Sequence, residues 1–168
     1  VDAANRTAVV EPGLVNLDLS TATAAQGLFY APDPSSQRAC TIGGNVAENA
    51  GGVHCLKYGL TVHNLLKVDI LTVEGERMTL GSDALDSPGF DLLALFTGSE
   101  GMLGVITESW LRLQDRPTFR GSASVQVDDF STAVQCVRAL SQSALFPTNC
   151  RLLDQEEVRL NGVGDGNS

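Results

Sequence analysis

Two glycine-rich stretches carry the residue types in this chain best suited to chemistry. Residues 40–59, CTIGGNVAENAGGVHCLKYG, hold five glycines in twenty positions, with Glu48 and Lys57 the only fixed charges. Glycine at that density destabilises regular structure. Its use is a backbone that bends through φ > 0 or lies close against something bulky. Ile42, Val46 and Ala50 recur at i, i+4 and i+8, one apolar face of a helix of about two turns. Gly43 and Gly44 would open that helix, and Gly51 and Gly52 would close it. Asn45 and Asn49 would share a face and supply short amide donors and acceptors. A helix N-terminus flanked by bare amides can seat a phosphate or a polarised ring. A tight structural turn between two core elements fits the same residues equally well. The second stretch, GSEGMLG at 98–104, runs directly into VITESWLRL.

The elements that must position these stretches read as follows. Residues 7–10 look like the end of a strand, stopped by Glu11-Pro12-Gly13, and 15–19 start a helix or an extended segment. YAPDPSSQR at 30–38 is a loop. Residues 61–66 add a helical turn. The branched run 68–73 is a strand, turned by Glu74-Gly75-Glu76 into a hairpin partner at 77–80. Residues 91–96 form a helix with Asp91 near its positive end. Along 105–113, Val105, Thr107, Ser109, Leu111 and Leu113 fall on one face of a strand. Gln114-Asp-Arg-Pro117 breaks the pattern and is the best domain boundary, dividing 1–116 from 117–168. Beyond it the chain reads strand 123–127, amphipathic helix 128–141 with Phe130, Ala133, Val134, Val137 and Leu140 inward, strand 150–153 and a helix after Asp154. This is the opening of an α+β unit. The tail NGVGDGNS is loop-like, and the abrupt ends suggest a piece of a longer protein.

Composition narrows the function classes. A hydrophobic share of 43% with 18% charged residues is ordinary for a globular protein. The formal net charge of −9 argues against a nucleic-acid surface or an anionic membrane as partner. A local cluster of backbone N–H groups could still bind an anion. No run reaches the length of a membrane span, and the N-terminus has no secretory pattern, which suggests a cytoplasmic protein. Cys40, Cys55, Cys136 and Cys150 form no C-x-x-C pair. With only His54 and His63 beside them no metal site is expected, and they read as reduced thiols.

The triphosphate-binding loop motif is absent. Gly98, Gly101 and Gly104 precede a strand rather than follow one, so a Rossmann crevice is excluded on spacing and context. H-E-x-x-H and G-x-S-x-G are absent too. Neither histidine has an evident carboxylate partner nearby in sequence, so both read as loop or surface residues.

Three stretches together resemble the FAD-linked oxidases of the vanillyl-alcohol oxidase fold: PDPSS at 32–36, CTIGGNVAENAGG at 40–52 with Lys57-Tyr58-Gly59, and GSEGMLGVIT at 98–107. They look most like the glycolate oxidase D subunit, D-lactate and D-2-hydroxyglutarate dehydrogenases, and alkylglycerone phosphate synthase. The resemblance implies a PCMH-type FAD-binding domain over 1–116: its second subdomain, mainly antiparallel sheet with flanking helices, followed by the start of an α+β cap domain. It implies FAD as cofactor, contacted by Pro32, Asp33, Pro34 and Ser36, by Thr41, Ile42, Gly43, Gly44, Asn45, Asn49, Gly51 and Gly52, by Tyr58 and Gly59, and by Glu100, Gly101, Gly104, Val105 and Ile106. Glu100 either braces its loop by accepting backbone N–H bonds or touches the cofactor. The family's pyrophosphate-binding loop would lie upstream of Val1, so this stretch alone would hold FAD weakly. Most of the cap, with its catalytic residues, would lie downstream. Arg151 matches an arginine of the alkylglycerone phosphate synthase branch and is the one candidate for substrate contact, with a surface salt bridge as its ordinary alternative.

Three functions follow from that resemblance. The first is an FAD-dependent oxidoreductase taking a hydride from a small D-2-hydroxy acid. The second is a transferase of the alkylglycerone phosphate synthase kind, with no net oxidation. The third is a flavin-binding subunit without turnover. A small-molecule substrate and a homodimer, or a complex with other oxidase subunits, are the partners expected.

Overall fold

A computed structural model of the chain describes residues 1–84 and 88–161. The expected loop at the tail lies outside the described residues from 162 onward. Strand β1 is Thr7–Val10, helix α1 Asn16–Ala22, β2 Leu28–Phe29, α2 Ile42–Glu48, α3 Cys55–Tyr58 and β3 Leu65–Leu71. Then come β4 Arg77–Gly81, α4 Leu92–Phe96, β5 Val105–Arg112, β6 Gln114–Asp115, α5 Phe130–Gln142 and α6 Gln155–Leu160. Four strands form an antiparallel sheet in the order β1-β5-β3-β4, and β2 pairs with β6. Such a sheet can bury one face and wet the other.

Here the buried face carries Ala8, Val68, Ile70, Leu80 and Leu111, which pack with Leu19 of α1, Ile42 and Val46 of α2, and Phe96 of α4. The other face carries Lys67, whose Nζ lies 4.5 Å from the centre of the Trp110 ring. Arg116 fastens the far end of this unit. Its N–H donates to Gly27 O at 2.8 Å, and its guanidinium donates to Leu28 O and Ser20 O, each at 3.1 Å.

Strand β5 does not keep the single alternation expected of it. Asp69 pairs with Glu108 but Ile70 with Ile106, so Thr107 is an extra residue on β5. A bulge of this kind shifts the side-chain phase by one. Ser109, Leu111 and Leu113 therefore point inward, while Val105 and Thr107 are exposed and Ile106 packs on the core.

After Pro117 the helices appear where expected and the strands do not. Asp129 and Asp154 cap α5 and α6 by accepting from Thr132 N at 2.9 Å and Glu157 N at 2.8 Å. A side-chain cap is a local device and needs no partner element. Residues 123–127 and 150–153 form no ladder, because no described strand lies beside them to complete their hydrogen bonds. Nor does α5 bury its apolar stripe: only Ala133 is buried, with Phe130 and Val134 exposed.

Candidate functional site

Helix α2 sits at the centre of the first glycine stretch, but it begins and ends differently from expectation. Thr41, not a glycine, is its N-cap, and Thr41 Oγ1 accepts from Gly44 N at 3.3 Å. Ile42 N donates to Leu14 O and Gly43 N to Pro12 O, each at 2.8 Å. The first-turn donors are thus spent inside the protein, and the helix start offers no phosphate seat. At the other end Asn49 caps the helix at φ 49°, ahead of Gly51 and Gly52. Asparagine tolerates the left-handed conformation better than most residues. Ala50 lies beyond the helix, so the apolar face is Ile42 and Val46 alone, both 0% exposed.

The two asparagine amides are braces. Asn45 is buried; its Oδ1 accepts from Asn16 Nδ2 at 2.8 Å and its Nδ2 donates to Cys40 Sγ at 3.3 Å. Asn16 Nδ2 also donates to Pro32 O at 3.0 Å, tying α1, α2 and the proline loop together. Asn49 Oδ1 accepts from Val62 N at 3.0 Å. Only Asn49 Nδ2 donates to no protein acceptor among the described residues.

The glycines divide by what surrounds them. A Cβ on Gly43 would meet Pro12 Cβ at 2.7 Å, and one on Gly51 would meet Leu60 Cδ2 at 2.6 Å. One on Gly52 would fall 2.1 Å from Asp33 O. These three serve internal packing. Gly44 is exposed, and its Cβ would find only Thr41 Oγ1, at an ordinary 3.5 Å.

The bare Cα of Gly52 lets Asp33 close over it and reach His54. Asp33 Oδ2 lies 2.5 Å from His54 Nδ1, and His54 N donates to Asp33 Oδ1 at 3.4 Å. His54 therefore has the carboxylate partner that sequence reasoning missed. The two are far apart along the chain, and the only hint was a glycine pair beside a proline-locked aspartate. His63 is used locally, its Nδ1 accepting from Leu60 N at 3.0 Å. Ser36 closes its turn through its carbonyl, which accepts from Ala39 N at 2.8 Å and Cys40 N at 2.9 Å.

The second glycine stretch docks on the C-terminal end of α2. Gly98 N donates to Val46 O and Glu100 N to Ala47 O, each at 2.9 Å. The two motifs thereby form one surface. Glu100 sits at φ 55°, and its carboxylate accepts no hydrogen bond among the described residues, so of the two roles expected for it the brace is not made. Gly101, at φ 79°, has open space around it, whereas a Cβ on Gly104 would lie 2.9 Å from Leu71 O.

Tyr58 and Gly59 end the first stretch. The Tyr58 ring stands edge-on to Phe29 with centroids 5.6 Å apart, and Gly59 turns at φ 74°. Phe29, His54, Lys57 and Tyr58 face an open cleft of about 1040 Å3, whose other wall comes from residues 117–153. Arg120 and Arg151 line it too, and among the described residues no carboxylate does, although the chain carries a net charge of −9. Arg151, which precedes α6, donates to Glu157 Oε1 of that helix at 2.5 Å and is held there.

Two family descriptions match along this chain. "FAD binding domain" matches residues 1–81, and "FAD linked oxidases, C-terminal domain" matches residues 116–163. The chain thus carries sequence of an FAD binding domain and of the C-terminal domain of the FAD linked oxidases. Glycolate oxidase subunit GlcD of Escherichia coli (strain K12) is 55% identical over 159 residues, covering 95% of this chain and 32% of that protein. D-2-hydroxyglutarate dehydrogenase of Stutzerimonas stutzeri (strain A1501) is 34% identical over 162 residues, covering 96% and 35%. D-lactate dehydrogenase of Anaerostipes hadrus is 34% identical over 158 residues, covering 94% and 33%. The chain thus spans about a third of the length of the relatives it matches.

The residues present fit the FAD of this family in part. Among the described residues, the main-chain N–H groups of Asp33, Gly51, Val53 and Gly101 donate to no protein acceptor. Those donors and the bare flank of Gly44 suit a ligand rich in acceptor atoms. Tyr30 Oη and Ser99 Oγ are also buried without a partner. Burial raises the Tyr30 phenol above its ordinary pKa, against the pull of the nearby Thr61 hydroxyl, so it stays neutral. The start of α2 and the Asn45 amide do not fit, being already satisfied.

Proposed function

We propose that this chain is part of an FAD-dependent oxidoreductase that takes a hydride from C2 of a small D-2-hydroxy acid. The observation that carries the reading is the joining of both glycine motifs on α2, beside a cleft that, among the described residues, is lined by cations and no carboxylate. Residues 1–116 would belong to the cofactor domain and 117–168 to the beginning of the substrate domain. Asp33, Gly51, Val53 and Gly101 would hold FAD through main-chain N–H groups, with Gly44 leaving room for it. Pro32, Pro34 and Ser36 fix the loop that carries Asp33, and Thr41, Ile42, Gly43, Asn45, Asn49, Gly52 and Gly104 hold the surface in shape. Glu100 and Val105 are exposed at its edge, and Ile106 supports it from the core.

When bound, FAD supplies the two-electron acceptor for the oxidation. Lys57 and Arg120 would draw the substrate carboxylate into the cleft, and Arg151, already paired with Glu157, would add a weaker pull. The Tyr58–Phe29 pair closes one side against water. No described helix is long and apolar enough to cross a membrane. A cytoplasmic location and assembly with further oxidase subunits, or as a homodimer, complete the proposal.

The test is anaerobic stopped-flow absorbance at the oxidised flavin band of the full-length protein. Bleaching by glycolate, D-lactate or D-2-hydroxyglutarate is expected. No bleaching by any of them, together with a spectral change on adding an acyl-dihydroxyacetone phosphate, would favour the transferase.

A further inference from the structure

The wall that residues 29–58 present to the cleft is aromatic, and it is braced from behind. We propose that Phe29 and Tyr58 are specificity-determining residues, forming the seat for an apolar substituent on C2 of the hydroxy acid. The inference rests on the oxidoreductase reading given above, and it leaves the catalytic groups to the part of the cap beyond this stretch.

Three observations carry it. The first is the rigidity of the pair. The two rings stand edge to face at 87°, and both are half-buried and line the cleft. Phe29 lies between the buried Leu28 and Tyr30 and pairs with Gln114 in the β2–β6 ladder. Gln114 Nε2 donates to Asn64 Oδ1 at 3.3 Å, and the fully buried Asn64 donates through Nδ2 to Tyr58 O at 2.9 Å. One brace therefore holds both residues, and a wall fixed in advance loses little side-chain freedom when a ligand packs on it.

The second observation is where the charge sits. Lys57 Nζ stands 5.1 Å from the centre of the Tyr58 ring, so a cation and the apolar wall are neighbours. A carboxylate drawn to Lys57 brings the rest of a small acid against the two rings.

The third is what remains for a second anion. Arg151 is already paired with Glu157, and His54 with Asp33. Lys57 and Arg120 are left for the carboxylate beside the reacting carbon. Across the cleft, Val125, Leu140 and Phe146 offer more apolar surface. Walls of that kind on both sides suit a hydrocarbon group, each buried methylene tightening binding about fourfold. A contact made equally in the ground state and the transition state shows in the half-saturating concentration rather than in the limiting rate.

The experiment follows anaerobic flavin reduction in the full-length protein along a series of D-2-hydroxy acids: lactate, 2-hydroxybutyrate, 2-hydroxypentanoate and 2-hydroxyhexanoate. In wild type the half-saturating concentration should fall about two- to fourfold with each added methylene, with the limiting rate per bound FAD constant within about threefold. Tyr58→Phe keeps the ring and should keep that slope. Tyr58→Ser and Phe29→Ala should flatten it to less than about 1.5-fold per methylene. The slope is a ratio taken within one protein, so lost stability or lost flavin does not imitate the effect. D-2-hydroxyglutarate, which would press a second carboxylate against the rings, should half-saturate about tenfold or more above D-2-hydroxyhexanoate. A flat series in wild type, an unchanged slope in both Tyr58→Ser and Phe29→Ala, or tighter binding of D-2-hydroxyglutarate overturns the assignment and leaves the oxidoreductase reading intact. Failure of every 2-hydroxy acid to reduce wild-type protein overturns both.

Discussion

At the start of α2, a methyl group added to Gly44 would touch nothing closer than Thr41 Oγ1 at 3.5 Å; beyond the end of the helix, one added to Gly52 would sit 2.1 Å from the Asp33 carbonyl oxygen. The two glycine pairs look alike, and both lie in the stretch that matches the FAD binding domain. One residue nevertheless leaves space on the outside, while the other is filled from the inside. Absence of a side chain therefore means two different things within one motif, and only the geometry of the neighbours separates them.

The sharpest way to break that contrast is Gly52→Val. We expect it to destabilise the FAD-free protein by more than about 3 kcal/mol, because the rigid Asp33 backbone cannot yield. Chemical denaturation without FAD measures this; a wild-type midpoint would show that the Asp33 contact relaxes easily.

Gly44→Val should do the reverse. Within a helix the change is worth only about 0.5 kcal/mol either way, so the apo-protein should unfold normally. FAD affinity of the full-length protein should fall tenfold or more, read by quenching of flavin fluorescence. Unchanged affinity would remove Gly44 from the site.

Asn45→Ala tests the brace. It leaves the buried Asn16 amide short of an acceptor, so stability should drop by about 1–3 kcal/mol. The flavin spectrum of the holo-protein should change little. A large spectral shift with intact stability would mean that Asn45 turns to the cofactor after all.

Glu100→Gly should raise stability slightly, by about 0.5–1 kcal/mol, because glycine accepts the φ of 55° that glutamate resists. A thermal melt without FAD checks it; a decrease would mean that the carboxylate has a partner.

The smallest effect concerns Asp129, outside the glycine surface. Its hydrogen bonds to Thr132 hold its carboxyl below the ordinary 3.8. A lowered folded pKa means that the cap contributes fully above about pH 3.8 and is lost as pH falls through the lower folded value. The Thr132 amide should therefore report fraying of α5 only in acid.

What the sequence made legible follows from range. The helix starts at Asp91 and Asp154 rest on caps that work over three residues, and the β3–β4 hairpin turns on a glycine between two acids, so both could be read directly; Asp129, expected inside a helix from 128, is its cap instead. The bulge at Thr107 could not, since it depends on register with β3. The Asp33–His54 and Asn16–Asn45 pairs join residues brought together only by folding. Residues 123–127 and 150–153 have strand-like composition, but a strand is completed by its neighbour.

The docking of Gly98 and Glu100 onto the last carbonyls of α2 also sets an order of events during synthesis. The first motif emerges from the ribosome about fifty residues before the loop that completes its surface, as the separation of these hydrogen-bonded partners requires. Arg116, which clamps Gly27 and Leu28, comes later still. Chains grow at roughly 5–20 residues per second, so the glycine-rich helix waits seconds with its terminal carbonyls unmet. If the joined surface holds the flavin as proposed above, its capture is a late event in the life of a new chain, and truncation before Arg116 leaves the motif without the contacts that complete its surface.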